Sequence, residues 1–172
     1  MDDLPTPEIR PARPADLDDV AALWFESASR MEGVSAAFPG HEELRGRIDR
    51  ELAAGWDLRV ALSNGRIVGL LALMPAEAKL DQMFVHPDRQ GHGIGLALLD
   101  LAKSVMPDGF SLRTPLANRR ARRFYERHGL DLLGEGVHPV LGTAVCFYGW
   151  RGGAVTPDGR AAAGSRTSPP SG

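Results

Sequence analysis

The sequence has a single cysteine, few aromatic residues and positive and negative charges that nearly cancel. One cysteine, Cys146, excludes an intramolecular disulfide and any multi-cysteine metal site. A net charge of −2 gives no overall attraction to phosphate backbones, so we expect no nucleic-acid partner. No apolar run approaches the roughly 20 residues of a membrane span, and the opening MDDLPTPEIRP lacks a signal-peptide core. We therefore expect a soluble, cytoplasmic protein with no membrane partner.

The 172 residues suit one domain with a sizeable core. Residues 1–7 are acidic and proline-bearing, and we predict a flexible N-terminus. After Trp150 the composition shifts, because GGAVTPDGRAAAGSRTSPPSG has no aromatic residue and only one large aliphatic one, Val155. Such a segment buries too little apolar surface to offset its ordering entropy. We predict a disordered tail over 151–172 and a single domain over 8–150.

Hydrophobic spacing alternates between strand and helix periods along the domain. Helical spacing starts at Pro14 and recurs over His41–Ala53, Ile94–Val105 and Asn118–His128. Strand patterns occupy Glu8–Pro11, Asp57–Leu62, Ile67–Met74, Lys79–His86, Phe110–Thr114, Leu130–Leu133 and Ala144–Trp150. Asn64-Gly65 between two strand patterns predicts a hairpin, and Gly129 predicts a left-handed helix cap. The pattern predicts an α/β (α+β type) domain with a mixed, mostly antiparallel sheet flanked by helices.

The stretch QGHGIG, residues 90–95, places three glycines between a strand pattern and a helix pattern. A dinucleotide fingerprint needs glycine where Leu96 stands, with its glycines almost directly after the strand. A tight turn and an anion-binding loop remain as interpretations. Consecutive amides at a helix N-terminus bind anions with help from the helix dipole. Since no Lys or Ser/Thr stands ready to coordinate a metal, this position favours a metal-free pyrophosphate.

Two segments resemble the GCN5-related N-acetyltransferases. LDQMFVHPDRQGHGIGLALL is similar to the family's acyl-CoA-binding motif [RQ]-x-x-G-x-[GA], matched by Gln90, Gly93 and Gly95. LRTPLANRRARRFYERHGL is similar to its N-x-x-A-x-x-F-Y-E-x-x-G-F element. The matching residues there are Asn118, Ala121, Phe124, Tyr125, Glu126 and Gly129, whereas Leu130 replaces the usual Phe. The opening IRPARPADLDDVAAL also looks like the family's first strand and helix, so the resemblance covers about residues 8–150.

The resemblance implies central strands that splay apart and acetyl-CoA as co-substrate, with no metal. The acetyl group would pass to a primary amine by direct attack in a ternary complex. The strand from Asp81 would pair with the pantetheine arm, and the amide near Phe84 or Val85 would polarise the thioester carbonyl. The expected cofactor-binding residues are Met83, Phe84, Val85, Gln90, Gly91, His92, Gly93, Ile94, Gly95, Leu96, Asn118, Ala121 and Phe124.

Tyr125 is the expected general acid to the leaving thiolate, because a phenol stays protonated at neutral pH. The alternative for Tyr125 is a half-buried aromatic beside Phe124. Asn118 lies two helical turns earlier on the same face and would hydrogen-bond the cofactor arm near the sulfur. Asp81 is our first choice for the amine-deprotonating base. Other candidates for the acceptor side are Glu26, Glu32 and His138, and Cys146 is expected to be buried rather than an acyl carrier.

The acceptor stays open at this point, between a small-molecule amine and a protein amine. The loops over 25–40 and 135–143 would shape its site, and their weakly charged lining disfavours polyamines. A non-catalytic acyl-CoA-binding or sensor module is the alternative function, and a homodimer is left open. Arg119, Arg123 and Arg127 share one helical stripe, from which one guanidinium would meet the cofactor's 3′-phosphate.

Overall fold

A computed structural model describes residues 6–153, so most of the predicted N-terminal and C-terminal segments lies outside the described residues. The strands are β1 (Glu8–Pro11), β2 (Asp57–Ser63), β3 (Arg66–Met74), β4 (Lys79–Val85), β5 (Gly109–Pro115), β6 (Asp131–Val137) and β7 (Ala144–Arg151). The helices are α1 (Leu17–Ser29), α2 (His41–Ala53), α3 (Ile94–Val105) and α4 (Arg119–Arg127). Within 6–153, no helix has both the length and the apolar composition that crossing a bilayer requires.

The strands form one mixed sheet in the order β1-β2-β3-β4-β5-β7-β6. All neighbours are antiparallel except β4 and β5, which run parallel. Asn64 and Gly65 join β2 to β3 with φ angles of 52° and 72°. Two successive positive φ values are the signature of a type I′ hairpin turn, whose twist matches that of the strands. The predicted fold class is confirmed.

The sheet separates two apolar clusters, one on each face. α1 and α2 cover one face, and α3 and α4 cover the other. β3 serves both, since Leu71 and Leu73 belong to the α3/α4 cluster while Leu70 and Ala72 belong to the α1/α2 cluster. Successive side chains of a strand point to opposite faces. The continuous apolar run in β3 therefore follows from its burial on both sides.

The edge strand β6 is the element that sequence reasoning predicted least well. We predicted a strand over Leu130–Leu133 and a loop over 135–143, but the strand extends to Val137. The prediction of a loop from 135 is wrong because Gly134 and Gly136 weaken the strand pattern, and an edge strand with few buried positions lacks a regular alternation. Pairing with β7 holds this segment in the sheet.

Candidate functional site

A gap opens between the parallel strands β4 and β5 near the middle of the sheet. The two strands share a single registered pair, Lys79 with Ser111, and then splay. β4 meanwhile stays paired with β3 as far as Val85. One edge of β4 therefore presents backbone groups to open space in the centre of the molecule. This splaying was expected from the family resemblance, and it is confirmed.

The backbone of β4 turns alternate residues towards this gap. The N–H of His86 donates to the carbonyl of Val68 on β3 over 2.8 Å. Because the groups of a strand alternate between its edges, Phe84 also faces β3, whereas Met83 and Val85 face the gap. The Phe84 amide thus belongs to the ladder, and its ring packs near Trp24 at 6.5 Å on the α1/α2 face. Of the two amides considered for the thioester carbonyl, the geometry favours that of Val85.

Asp81 occupies a β-bulge, since Leu80 and Gln82 pair with consecutive residues of β3 and leave it unpaired. Its side chain is 5% exposed. One carboxylate oxygen lies 2.6 Å from the Lys79 ammonium, and the other accepts from the Trp56 indole N–H over 3.2 Å. Arg47 adds a second cation at 3.7 Å. A buried carboxylate held by two cations and a donor is poorly placed to take a proton from an amine, so the geometry disfavours Asp81 as the base.

The glycine stretch forms the turn from β4 into α3. Gly91 and Gly93 have φ angles of 82° and 79°, and a Cβ at either would meet no atom within 4 Å. Glycine is therefore required here by backbone conformation and not by crowding. The first helical N–H to find an acceptor is that of Ala97, which donates to Gly93 over 3.0 Å. The amides of Ile94, Gly95 and Leu96 have no partner within the helix, and they form a set of donors at its positive end.

The side chains of Gln90 and Phe124 connect this loop to β4 and α4. Gln90 Nε2 donates to the Val85 carbonyl over 3.2 Å and ties the loop to the strand end. The Phe124 ring of α4 lies against Gly95, where an added Cβ would stand 3.5 Å from it. His92 is exposed, and its ring Nδ1 lies 3.2 Å from the Arg89 carbonyl. The strand end, the loop and α4 thus form one surface, as the predicted cofactor residues require.

The Asn118 side chain caps a helix through its oxygen and keeps its NH₂ group available as a donor. Its side-chain oxygen accepts from the Ala121 N–H over 3.1 Å and caps α4. The side-chain NH₂ group has no hydrogen bond to any residue in the range 6–153. Asn118 therefore keeps a donor for a ligand while it starts the helix, and Ala121 packs beneath it against the α3/α4 cluster.

The two tyrosines of the chain lie side by side, with ring centroids 5.9 Å apart, in opposite environments. The Tyr148 hydroxyl donates to Glu126 over 2.7 Å and accepts from Arg122 Nε over 3.3 Å. Tyr125 is 7% exposed, and its hydroxyl bonds to no other residue in the part of the chain that the structure describes. Burial raises the pKa of the Tyr125 phenol well above its ordinary value. Tyr125 is therefore a protonated, uncommitted donor.

The outer surface of α4 is basic. Arg119, Arg120, Arg123 and Arg127 are exposed, and none forms an ion pair within residues 6–153. We predicted a phosphate contact from the stripe of Arg119, Arg123 and Arg127. Arg120, however, lies one helical turn before Phe124, on the side that faces the start of α3. Arg120 is therefore placed towards the start of α3, where the pyrophosphate is predicted to bind, and the predicted contact of the stripe with the 3′-phosphate stays a prediction.

The segment between α1 and α2 reaches across to the end of β5. Gly33 has a φ of 80°, and a Cβ there would stand 2.8 Å from the Ala117 side chain. This contact brings the loop next to Asn118, and sequence reasoning gave no signal for it. At the end of β4, His86 Nε2 lies 3.3 Å from Glu26 of α1. Glu26 thus lies on the predicted acceptor side, and Glu32 is in the crossing loop.

The remaining candidates lie away from the gap or inside the core. Cys146 is fully buried within the α3/α4 cluster, as expected. A surface depression lined by Glu77, Asp108, Phe110 and Trp150 lies at the opposite ends of β4 and β5 from the glycine loop. Residues 6–153 contain no group of three side chains able to hold a metal ion, so the expectation of metal-free chemistry stays a prediction.

Comparison with known proteins identifies relatives of this chain. Residues 55–129 match the family model described as the acetyltransferase (GNAT) domain. The chain is 27% identical over 168 residues to a probable N-acetyltransferase of Mycobacterium tuberculosis, covering 83% of this chain and 91% of that protein. Its fold is similar to that of an acetyltransferase from Thermus thermophilus, with a TM-score of 0.71, 18% identity and coverage of 86% and 98%. A phosphinothricin acetyltransferase from Sinorhizobium meliloti, solved with acetyl-CoA, gives a TM-score of 0.69 at 19% identity, covering 92% and 95%.

The matched range contains the gap in the sheet, the glycine loop and the Asn118–Tyr125 helix. The glycine loop and this helix carry the two main motifs on which the family resemblance was based, and the prediction of an acyltransferase is confirmed. The resemblance of this chain to the GCN5-related N-acetyltransferases is therefore confirmed by a family-model match over residues 55–129 and by relatives named as N-acetyltransferases.

Proposed function

We propose that this protein transfers the acetyl group of acetyl-CoA directly to a primary amine, with both substrates bound at once. The observation that carries the proposal is the gap between β4 and β5, which has the free amides of a helix start at one end and adjoins α4, the helix that carries Tyr125. Such a slot accommodates an extended arm with a phosphate at one end and a reacting sulfur at the other. Solved relatives that hold acetyl-CoA support this choice of donor.

The donor would bind mainly through backbone groups. The Met83 and Val85 edge of β4 would pair with the pantetheine amides as an added strand. The free amides of Ile94, Gly95 and Leu96 would hold the pyrophosphate, and Arg120 would add a guanidinium above them. Because these donors are fixed by the fold, the thioester is oriented before the acceptor arrives.

The reaction forms a C–N bond and breaks a C–S bond. The amine nitrogen attacks the thioester carbonyl carbon, and the carbonyl oxygen gains charge opposite the Val85 amide. Collapse of this intermediate releases the coenzyme A thiolate, while the nitrogen gives up its proton to solvent and the thiolate is later protonated from solvent. The raised pKa of Tyr125 lies above that of a thiol, so complete proton transfer from the phenol is uphill. Tyr125 would therefore stabilise the developing thiolate mainly by donating a hydrogen bond.

A thiol-release assay tests the proposal. The purified protein is incubated with acetyl-CoA and a panel of amino acids, amines, aminoglycosides and peptides with free N-termini, and free thiol is measured. Acetyl-CoA binding is measured separately by calorimetry. We expect binding, together with thiol release that requires an amine and yields the acetylated amine. Binding without release on any amine would instead indicate an acyl-CoA sensor module.

A further inference from the structure

The face of the sheet that lies across the gap from β4 is open on the α1/α2 side. Phe110 and Leu112 of β5 are buried in the α3/α4 cluster, so Arg113, the residue after Leu112, points to the opposite face. Phe147 of β7 pairs with Arg113 across the strands and lies on that same face. Phe147 is 37% exposed and Leu133 of β6 is 56% exposed. β5, β7 and β6 therefore form an accessible wall beside the gap.

Arg113 is a half-buried cation in this wall. It lies two residues beyond Ser111, the last residue of β5 that is paired with β4. It therefore stands on the far side of the gap from the strand that would hold the donor. Within residues 6–153 its guanidinium forms no ion pair or side-chain hydrogen bond. Half-buried arginines are ordinarily paired, because losing water without a partner is costly.

His138 and Arg47 are near Arg113, and Glu32 lies in the loop that reaches the end of β5 but forms no ion pair with Arg113 within residues 6–153. His138 Nδ1 accepts from the amides of Val140 and Leu141, so its Nε2 carries the ring proton. Burial, and then the charges of Arg113 and Arg47, lower the pKa of His138. Arg47 is paired with Glu51 at 3.3 Å. The cation left without a partner in this group is Arg113.

Two glycines make the wall beside Arg113 flat and apolar. A Cβ at Gly136 would stand 2.9 Å from the Phe147 ring, and one at Gly149 would stand 2.9 Å from Leu133. The absence of side chains at these positions lets Phe147 and Leu133 lie along the sheet. The acidic position on this face, Asp131, pairs with Gly149 at the sheet edge and forms no ion pair with Arg113.

We infer that Arg113 binds a carboxylate of the acceptor. The acceptor is then a free amino acid whose apolar side chain lies on Phe147 and Leu133. The inference rests on the proposed acetyl transfer and deepens it. A guanidinium binds a carboxylate through two parallel hydrogen bonds, and this fixes the orientation of the ligand. With its carboxylate on Arg113, the amine of such an acceptor would be directed across the gap towards β4. An acceptor that carries several positive charges would be repelled.

Matched pairs of acceptors test the inference. L-Phenylalanine and L-leucine are compared with their carboxamides by thiol release, in the natural protein and in Arg113→Gln, Arg113→Lys and Arg50→Gln. Arg50 is an exposed arginine at the far end of α2 and serves as the charge-matched control. The ratio of kcat/KM for the acid to that for the amide should fall about 10- to 100-fold in Arg113→Gln. We expect a partial loss in Arg113→Lys and none in Arg50→Gln.

An amino acid and its carboxamide differ in the basicity of their amine, but this difference enters the acid-to-amide ratio equally in every protein. It therefore cancels when the ratio of a variant is compared with that of the natural protein. An unchanged ratio in Arg113→Gln would overturn the inference, as would acetylation of the amides or of peptides with no acetylation of the free amino acids. If Arg113→Gln does not fold, 3-phenylpropionate is tested on the natural protein. It should inhibit competitively against the acceptor, and absence of inhibition would overturn the inference. Acetylation of no amine at all would overturn the proposed function itself, whereas acetylation without preference for carboxylates would overturn only the Arg113 assignment.

Discussion

Replacing Tyr125 with phenylalanine separates its chemical role from its packing role. The Tyr125 hydroxyl has no hydrogen-bond partner in residues 6–153, so its removal leaves no orphaned group behind. The ring and its contacts with Phe124 and Tyr148 remain. We therefore expect Tyr125→Phe to be about as stable as the natural protein, because the hydroxyl makes no hydrogen bond to another described residue and the ring packing is retained.

The effect on the reaction should be much larger. A hydrogen bond that is made only to the developing thiolate contributes to the transition state and not to substrate binding. Loss of such a donor lowers kcat by about 100-fold, which corresponds to about 2.7 kcal/mol. The dissociation constant of acetyl-CoA should stay within about threefold, because the pyrophosphate and pantetheine contacts come from the backbone.

Tyr148→Phe is the matched control, since the chain has only these two tyrosines. Its hydroxyl bonds to Glu126 and Arg122, so the substitution removes two hydrogen bonds to charged side chains. We expect a loss of about 1.5–3 kcal/mol in the free energy of unfolding, with little change in kcat per folded molecule. Single-turnover thiol release and urea unfolding measure the two quantities. An unchanged turnover of Tyr125→Phe at saturating substrates, or an equal loss in both variants, would refute the reasoning.

Three further predictions follow from the geometry. Gly93→Ala should weaken acetyl-CoA binding and lower the free energy of unfolding by about 1–2 kcal/mol, because the backbone at position 93 is left-handed. Gly95→Ala is the control: its added Cβ would make only ordinary contacts, so the variant should fold normally. Calorimetry measures binding and unfolding in both variants. Asp81→Asn should lower the free energy of unfolding and leave the pH profile of kcat unchanged, because Asp81 is held by Lys79 and Trp56. If the fall in kcat at low pH disappears in this variant, Asp81 is the base after all. Asp16→Asn should lower the free energy of unfolding by about 1–2 kcal/mol at pH 7, since the Arg10 guanidinium lowers the pKa of Asp16 to about 2. This stabilisation is present above the ordinary pKa of 3.8 and is lost as the pH falls towards 2, so variant and natural protein should converge there in acid unfolding curves.

Regular periodicity and backbone demands made much of the fold predictable. The helix His41–Ala53 has the predicted bounds, because its apolar residues recur at helical spacing. The turn at Asn64-Gly65 was predictable because few residues tolerate two positive φ angles in succession. The full extent of β6 was not predictable, because an exposed edge strand that contains glycines shows no regular alternation of apolar and polar residues. Its pairing with β7 holds it in the sheet.

In the candidate site, too, some residues were predictable from the sequence and others were not. Motif spacing alone located the glycine loop, Asn118 and Tyr125, since each acts through its own backbone or its place on one helix face. The environment of Asp81 was invisible in the sequence, because Trp56, Lys79 and Arg47 approach it from three different elements. Whether a carboxylate is free to act as a base depends on its neighbours in space.

The sequence by itself determined the resemblance to the GCN5-related N-acetyltransferases and the donor that the protein is proposed to use, because both depend on local segments whose chemistry is carried by consecutive residues. The surroundings of the gap came only from tertiary structure. Gly33 meets Ala117 and Arg113 faces Phe147 because strands and loops distant along the chain are brought together by burial of the two apolar clusters. Acceptor recognition is built from such long-range neighbours, and single-sequence patterns do not record them.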